Sequence, residues 1–202
     1  GPDSALDCAT PTMTVDGSNS SSGTEFTYLW TTLNGNINGP VDGTSIAIDS
    51  GGVYVLTVSN TVNGCVDSAS VNVSQDFTLP QVTTDPGGEI NCTVLTIPLT
   101  GQVSGNIANF TYDWQFFGGG SVSSGQGTLN AEATQADMYF LVVTDTINNC
   151  TALDSVEVTI DANVPSISIA DIDTLDCSIT SLVIDASAST QDTDVIFKWV
   201  VI

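Results

Sequence analysis

Rare residues recur at a fixed interval along this chain, and that interval sets the size of any domain it can form. Cys8 and Cys92 stand 84 positions apart, and Cys92 and Cys177 stand 85 apart. Trp30, Trp114 and Trp199 repeat the same two steps, each 22 residues after its cysteine. The second cysteines, Cys65 and Cys150, are 85 apart, as are Pro80 and Pro165. Self-similarity at a fixed period is the mark of a repeat architecture, in which each unit contacts its neighbours. The 202 residues then divide into repeat 1 (1–77), repeat 2 (78–162) and the N-terminal half of repeat 3 (163–202).

The local text repeats around these anchors. Leu6-Asp7-Cys8 recurs as Ile90-Asn91-Cys92 and Leu175-Asp176-Cys177. Phe26–Trp30 (FTYLW) recurs as Phe110–Trp114 (FTYDW), and VYVLTVSNTVNGC ending at Cys65 recurs as MYFLVVTDTINNC ending at Cys150. Apolar residues alternate at period two in Met13/Val15, Ile46/Ile48 and Val71/Val73, as half-buried strands require. Clusters of Gly, Asn, Asp and Ser separate the strands, and no helical stripe of useful length is present. The expected fold is all-β: tandem Ig/PKD-like β-sandwich domains with repeats of about 85 residues, the third incomplete. Trp30, Trp114 and Trp199 are the expected core tryptophans. Tyr54 and Tyr139, each at the start of a strand, suit the tyrosine corner of such sandwiches.

The five cysteines read as two pairs and one left over. Taken within each repeat, they predict bridges Cys8–Cys65 and Cys92–Cys150, with the partner of Cys177 expected beyond residue 202. Disulfides imply an oxidising, hence extracellular, compartment. Zinc is disfavoured by the long spacings and the absence of His.

Composition removes several function classes. One basic residue, Lys198, stands against 23 acidic ones, for a net charge of −22. Binding to a nucleic-acid backbone or to anionic lipid needs clustered Lys and Arg, so both are excluded as partners. No apolar run reaches the ~18 residues of a membrane span, and no leader peptide is visible. Without His, Ser/His/Asp and Cys/His constellations are impossible, and the carboxylates do not recur as a pair. The Gly118–Gly120 run leads into a strand rather than a helix and reads as a loop, not a phosphate cradle. The chain is therefore expected to be no enzyme and to require no cofactor.

Taken together, "LDC…VDGS", "FTYLW", "GGVYVLTVSNTVNGC" and the "QDFTLP" joint resemble the PKD-like or Ig-like repeats of large secreted surface proteins of Bacteroidota-type bacteria. The resemblance covers essentially the whole chain, although WTTLNG and WQFFGG replace the Trp-Asp-Phe-Gly-Asp-Gly core of typical PKD domains. It implies a secreted or cell-surface location and service as a stalk, spacer or adhesin segment. It also implies O-glycosylation at Asp-Ser/Thr-apolar triplets, which here would modify Ser4, Ser68, Thr146, Ser155 and Thr174.

Three further expectations concern joints and surfaces. Asp76 and Asp161 lie four residues before Pro80 and Pro165, where hard oxygen ligands could hold Ca2+ between domains; the alternative is a strand-ending turn. Phe77 and Phe117 fall outside core positions and are the aromatics to watch for binding of surface glycans or a protein partner. The interrupted third repeat has two readings: the chain continues, or strands from an identical chain complete it in a filament.

Overall fold

The computed structural model describes residues 4–105 and 107–201. Residues 1–160 form one compact unit and residues 161–202 another. Among the described residues, fifteen strands lie in the first unit: β1 (Ser4–Leu6), β2 (Met13–Asp16), β3 (Phe26–Thr32), β4 (Ile37–Asn38), β5 (Ser45–Ile48), β6 (Gly52–Asn60), β7 (Val66–Gln75), β8 (Gln81–Thr84), β9 (Glu89–Ile90), β10 (Ile97–Ser104), β11 (Phe110–Phe116), β12 (Val122–Ser124), β13 (Asn130–Ala133), β14 (Asp137–Asp145) and β15 (Thr151–Ile160). One 3-10 turn, Ile107–Asn109, precedes β11.

The strands make two β-sandwiches with the same plan. In the first, a sheet ordered β1-β7-β6-β3 faces one ordered β2-β5-β4. In the second, β9-β15-β14-β11 faces β8-β10-β13-β12. Period-two alternation fills the space between sheets. Ile46 and Ile48 of β5, Tyr54 and Leu56 of β6, Val73 of β7 and Trp30 of β3 form one core with Leu6. Leu99, Trp114, Ala131, Ala133, Tyr139, Leu141, Val143, Val156 and Val158 dominate the other. The chain is thus an all-β tandem of Ig-like sandwiches, as its pattern implies.

Each buried aromatic has its polar atom satisfied. Trp30 Nε1 donates to Gly43 O at 3.1 Å, and Trp114 Nε1 donates to Thr128 O at 3.0 Å. The Tyr139 hydroxyl lies 2.7 Å from Gln135 O, four residues upstream, and accepts the Ser121 amide at 3.0 Å. Tyr54 repeats this arrangement with Ser50 O and the Asn36 amide. The tyrosine ties the loop between sheets to the strand that carries it.

A glycine sits opposite the same core leucine in both sandwiches. A β-carbon on Gly17 would collide with Leu56, and one on Gly101 with Leu141. Each glycine amide donates at 2.8 Å to the neighbouring strand's start within its own sheet, to Thr44 O before β5 and Leu129 O before β13 respectively. Close approach of backbone to core side chain, not turn geometry, demands Gly at this position.

The half repeat departs from expectation. Among the described residues of 161–201 there is no strand or helix. Ser166 and Ser168 still bond to Thr190 and Ser189, and the Ala170 amide donates to Asp185 O at 2.9 Å. This is the pairing that joins Gln81 of β8 to Ser104 of β10. Trp199, expected in a core, is 60% exposed, and Ile196 is 92% exposed. The reason is topological. β3 and β11, which carry the equivalent tryptophans, pair with β6 and β14, and among the described residues no such strand lies beside Trp199.

Candidate functional site: the covalent joint between repeats

The observed disulfide joins Cys8 to Cys150, with Cα atoms 5.0 Å apart; Cys65, Cys92 and Cys177 are free and exposed. This overturns the expected bridges Cys8–Cys65 and Cys92–Cys150. The cause is strand direction. β1 runs parallel to β7, with Ser4 opposite Val73 and Leu6 opposite Gln75. Cys8 therefore emerges beside the C-terminal end of β7, while Cys65 immediately precedes its N-terminal end. A ten-residue strand is roughly 30 Å long, and a disulfide needs Cα atoms within ~7 Å. The same parallel pairing of β9 with β15, with Ile90 opposite Ile160, places Cys92 and Cys150 at opposite ends of β15. Cysteines of one repeat cannot meet; the first cysteine of one repeat and the second cysteine of the next can.

Two short turns meet at this bridge. One is built on Asp7, whose Oδ1 accepts the amides of Ala9 (2.9 Å) and Thr10 (2.6 Å) and so presents Cys8. The other follows β14. There Asn148 Oδ1 accepts the Cys150 amide at 3.0 Å, and Asn149 takes the left-handed conformation (φ 56°) that Asn tolerates better than most residues. The turns then bond to each other: the Cys8 amide donates to Asn148 O at 3.0 Å, and Asn149 Nδ2 donates to Asp7 Oδ2 at 3.0 Å. Asn148 Nδ2 also donates to Thr78 O in the linker at 2.9 Å. Asn148 is 2% exposed and Cys150 is fully buried.

The linker continues the joint. Asp76 donates its amide to Leu6 O at 2.9 Å, its Oδ1 accepts the Thr78 amide at 2.9 Å, and Pro80 is buried. Beyond it, Thr84 donates its amide and hydroxyl to Asp154 Oδ2, at 2.7 and 3.0 Å, fixing β8 against β15. The Asp7 carboxyl is held below the usual carboxylate range, chiefly by the Thr10 amide and then by Asn149. Asp76 is lowered in the same sense by the Thr78 amide and hydroxyl and by Asn148.

The remaining sequence candidates are scattered. Asp161 Oδ1 accepts the Asn163 amide at 2.9 Å, the same turn that Asp76 makes. Among the described residues, no group of three or more His, Cys, Asp or Glu side chains is placed to hold a metal. Ser68, Thr146, Ser155 and Thr174 are all exposed, on β7, the β14–β15 loop, β15 and residues 161–202 respectively; Ser4 lies in β1, and Asp3 of its triplet is outside the described residues. The Thr146 hydroxyl is already committed to Asn109 O at 2.8 Å. Phe117 is 79% exposed and stacks edge-on against Phe140 with centroids 5.6 Å apart, and Phe77 is exposed as well, at 37%. The amides of Gly118 and Gly120 both donate to Asp137 Oδ2, at 2.8 and 2.7 Å, so this loop binds a carboxylate of its own chain. No helix among the described residues is long and apolar enough to cross a membrane.

Sequence reasoning missed Asp7, Asn148 and Asn149 as a group. A signal was present: Asn or Asp occupies the position before each first cysteine, and Asn stands two residues before each second one.

No family model matches the chain, and no curated protein matches it in sequence. Among solved structures it is similar to the N-terminal eight Ig domains of Down Syndrome Cell Adhesion Molecule isoform 1.30.30 (12% identity, 84% of this chain, 24% of that chain, TM-score 0.49). It is also similar to three N-terminal domains of the bacteriophage RB49 Highly Immunogenic Outer Capsid protein (15% identity, 74% and 52% covered, TM-score 0.35) and to murine CEACAM1b (15%, 79% and 96%, TM-score 0.34). The chain spans about a quarter of the first of these proteins.

Proposed function

We propose that this chain is a non-enzymatic structural segment, a stalk or spacer of an extracellular bacterial surface protein, in which successive Ig-like repeats are fastened to each other. The observation that carries this reading is the bridge between Cys8 of repeat 1 and Cys150 of repeat 2, set within hydrogen bonds that cross the same joint. A disulfide inside a domain protects that domain's fold. A disulfide between domains restricts their relative motion, which for a spacer is the working property. Inter-domain contacts within a chain are otherwise small and permit motion. The surplus of acidic over basic residues, 23 to 1, keeps such an array soluble by mutual repulsion. The bacterial surface setting rests on the resemblance of the repeats to those of secreted Bacteroidota-type proteins.

Peptide mapping of unreduced native protein tests the reading. It should recover Cys8 linked to Cys150; recovery of Cys8 linked to Cys65 would sink it. Negative-stain images should also show a broader spread of angles between repeats 1 and 2 in Cys8→Ser than in the parent. Calcium at Asp76 and Asp161 would add stiffness to the same joints, and a melting temperature indifferent to Ca2+ and chelator removes that element. Glycosylation at the exposed Ser and Thr sites is read from the intact mass of native material.

A second reading, a binding module for glycans or a partner protein, is favoured by exposed Phe117 stacked on Phe140. Glycan-array binding lost in Phe117→Ala would promote it over the spacer.

A further inference from the structure

The pair Asn-Gly occurs three times, at Asn34-Gly35, Asn38-Gly39 and Asn63-Gly64, all within repeat 1. In such a pair the side-chain amide lies open to attack from its own main chain, because glycine has no β-carbon to hold the following nitrogen away from the asparagine Cγ. Whether a given pair reacts depends on what its glycine amide and asparagine side chain are already bonded to. In that respect the three pairs differ.

At the first pair, the Gly35 amide donates to Thr32 Oγ1 at 2.9 Å, and Asn34 Oδ1 accepts the Val53 amide at 3.0 Å. At the third, the Gly64 amide donates to Asn60 O at 2.9 Å, and Asn63 Oδ1 accepts the Cys65 amide at 2.9 Å. In both, nitrogen and side chain are tied to the main chain or to a hydroxyl. At the second pair, the Gly39 amide has no bonding partner among the described residues. Asn38 and Gly39 are both exposed, Gly39 has a positive φ (113°), and nothing lies within 4 Å of the place a β-carbon would take. The Asn38 Oδ1 accepts a side-chain amide, Asn36 Nδ2, at 3.0 Å. The matching strand of repeat 2, β12, reads Val-Ser-Ser and contains no such pair.

We propose that Asn38 is a site of spontaneous deamidation in the folded chain, with water as the co-reactant. The Gly39 nitrogen attacks Asn38 Cγ, the Cγ–Nδ2 bond breaks, and Nδ2 takes up the glycine proton and leaves as ammonia. The product is a cyclic imide. Water then opens it at Cγ, which gives aspartate, or at the main-chain carbonyl carbon, which gives iso-aspartate with the chain routed through Cγ. No oxidant or reductant is involved.

Both products act on one sheet edge. Asn38 lies in β4, the outer strand of the sheet β2-β5-β4, opposite Ala47 of β5. Iso-aspartate adds a carbon to the main chain there and displaces that pairing. Either product also sets a second carboxylate beside Asp49, whose Oδ1 shares the Asn36 Nδ2 donor, at 2.8 Å. Like charges placed so close in a sheet repel. The Asp49 carboxyl is held below the usual carboxylate range first by the Asn38 amide and then by that of Asn36, and deamidation removes the first of these.

The test is incubation of the purified 202-residue chain in heavy-oxygen water at mildly alkaline pH, with peptide mapping by mass spectrometry over time. Each conversion replaces the amide nitrogen by a labelled oxygen. Label at Asn38 should accumulate about fivefold faster than at Asn34 or Asn63, since each of those must first give up a hydrogen bond at its glycine amide. In denaturant the three sites should label alike, and Asn38→Ser should remove the fast site. Asn38→Asp, which carries the product's charge, should melt below Asn38→Ser. Equal rates at the three sites in the folded chain, no label at Asn38 while the unfolded chain reacts, or a preference for Asn38 that persists unchanged in denaturant would each overturn the proposal. Equal melting of the two variants would overturn its effect on the sheet edge. The proposal goes beyond the spacer reading and does not rest on it, because the map of Cys8–Cys150 decides that reading whatever the label shows.

Discussion

Asn148 satisfies three backbone groups drawn from both sides of one joint: the Cys150 amide, the Thr78 carbonyl and, through its own carbonyl, the Cys8 amide. Truncating a buried hydrogen-bonding side chain leaves its partners unpaired, at a cost of about 1–3 kcal/mol. Asn148→Ala should therefore lower the unfolding midpoint measurably, whereas Asn63→Ala, at an exposed loop with a single such bond, should change it less. Comparing the two denaturation curves isolates the contribution of the joint. Tyr139→Phe removes a hydroxyl that accepts the Ser121 amide and reaches Gln135 O, and a loss of about 1–3 kcal/mol is expected in urea unfolding.

Asp7 allows a pH prediction at the same scale. Its folded pKa lies below the ordinary value because the Thr10 amide and then Asn149 favour the carboxylate. A carboxyl lowered on folding contributes stability above its unfolded pKa of ~3.9 and loses it as pH falls through the folded value. Asn91 makes the same turn without a charge, so Asp7→Asn should keep the turn. The variant's melting temperature should fall less steeply than the parent's below pH ~4. Parallel slopes would show that Asp7 does not act through its charge.

At the scale of elements, the sheets owe their close approach to Gly17 and Gly101. A methyl group at Gly101 would enter the space of Leu141, a fully buried residue. Overpacking a filled core costs typically 1–3 kcal/mol, so Gly101→Ala should destabilise the second sandwich by about that amount. Pairing it with Leu141→Ala should restore part of the loss, and a double-mutant cycle measures how much. Strand placement was legible in the sequence where side chains alternate: β5 (SIAI) buries every second residue, as its pattern dictates. Trp199 was not legible in the same way. Its local text matches that of Trp30, yet a tryptophan is buried by the strand beside it, and Trp199 has none among the described residues.

For the whole molecule, the long bridge matters more than its local geometry. It closes a loop with a sequence separation of 142, and a cross-link of that span restricts the unfolded chain by about 5 kcal/mol in the chain-entropy account. Reduction, or Cys8→Ser, should lower the melting temperature of the chain. It should also uncouple the two sandwiches, so that one calorimetric transition becomes two. A single unchanged transition after full reduction would show that the bridge contributes nothing to their coupling.

The sequence by itself determined the repeat length, the alternating strands that carry Ile46/Ile48 and Val71/Val73, and the four buried aromatics of the two sandwiches, because these follow from periodicity. The partners of the cysteines were decided by tertiary structure alone. Spacing along the chain is blind to direction, and the parallel pairing of β1 with β7 carries the two cysteines of a repeat to opposite ends of one strand. Only the neighbouring repeat, docked across Asp7, Thr78 and Asn148, brings a thiol within bonding distance.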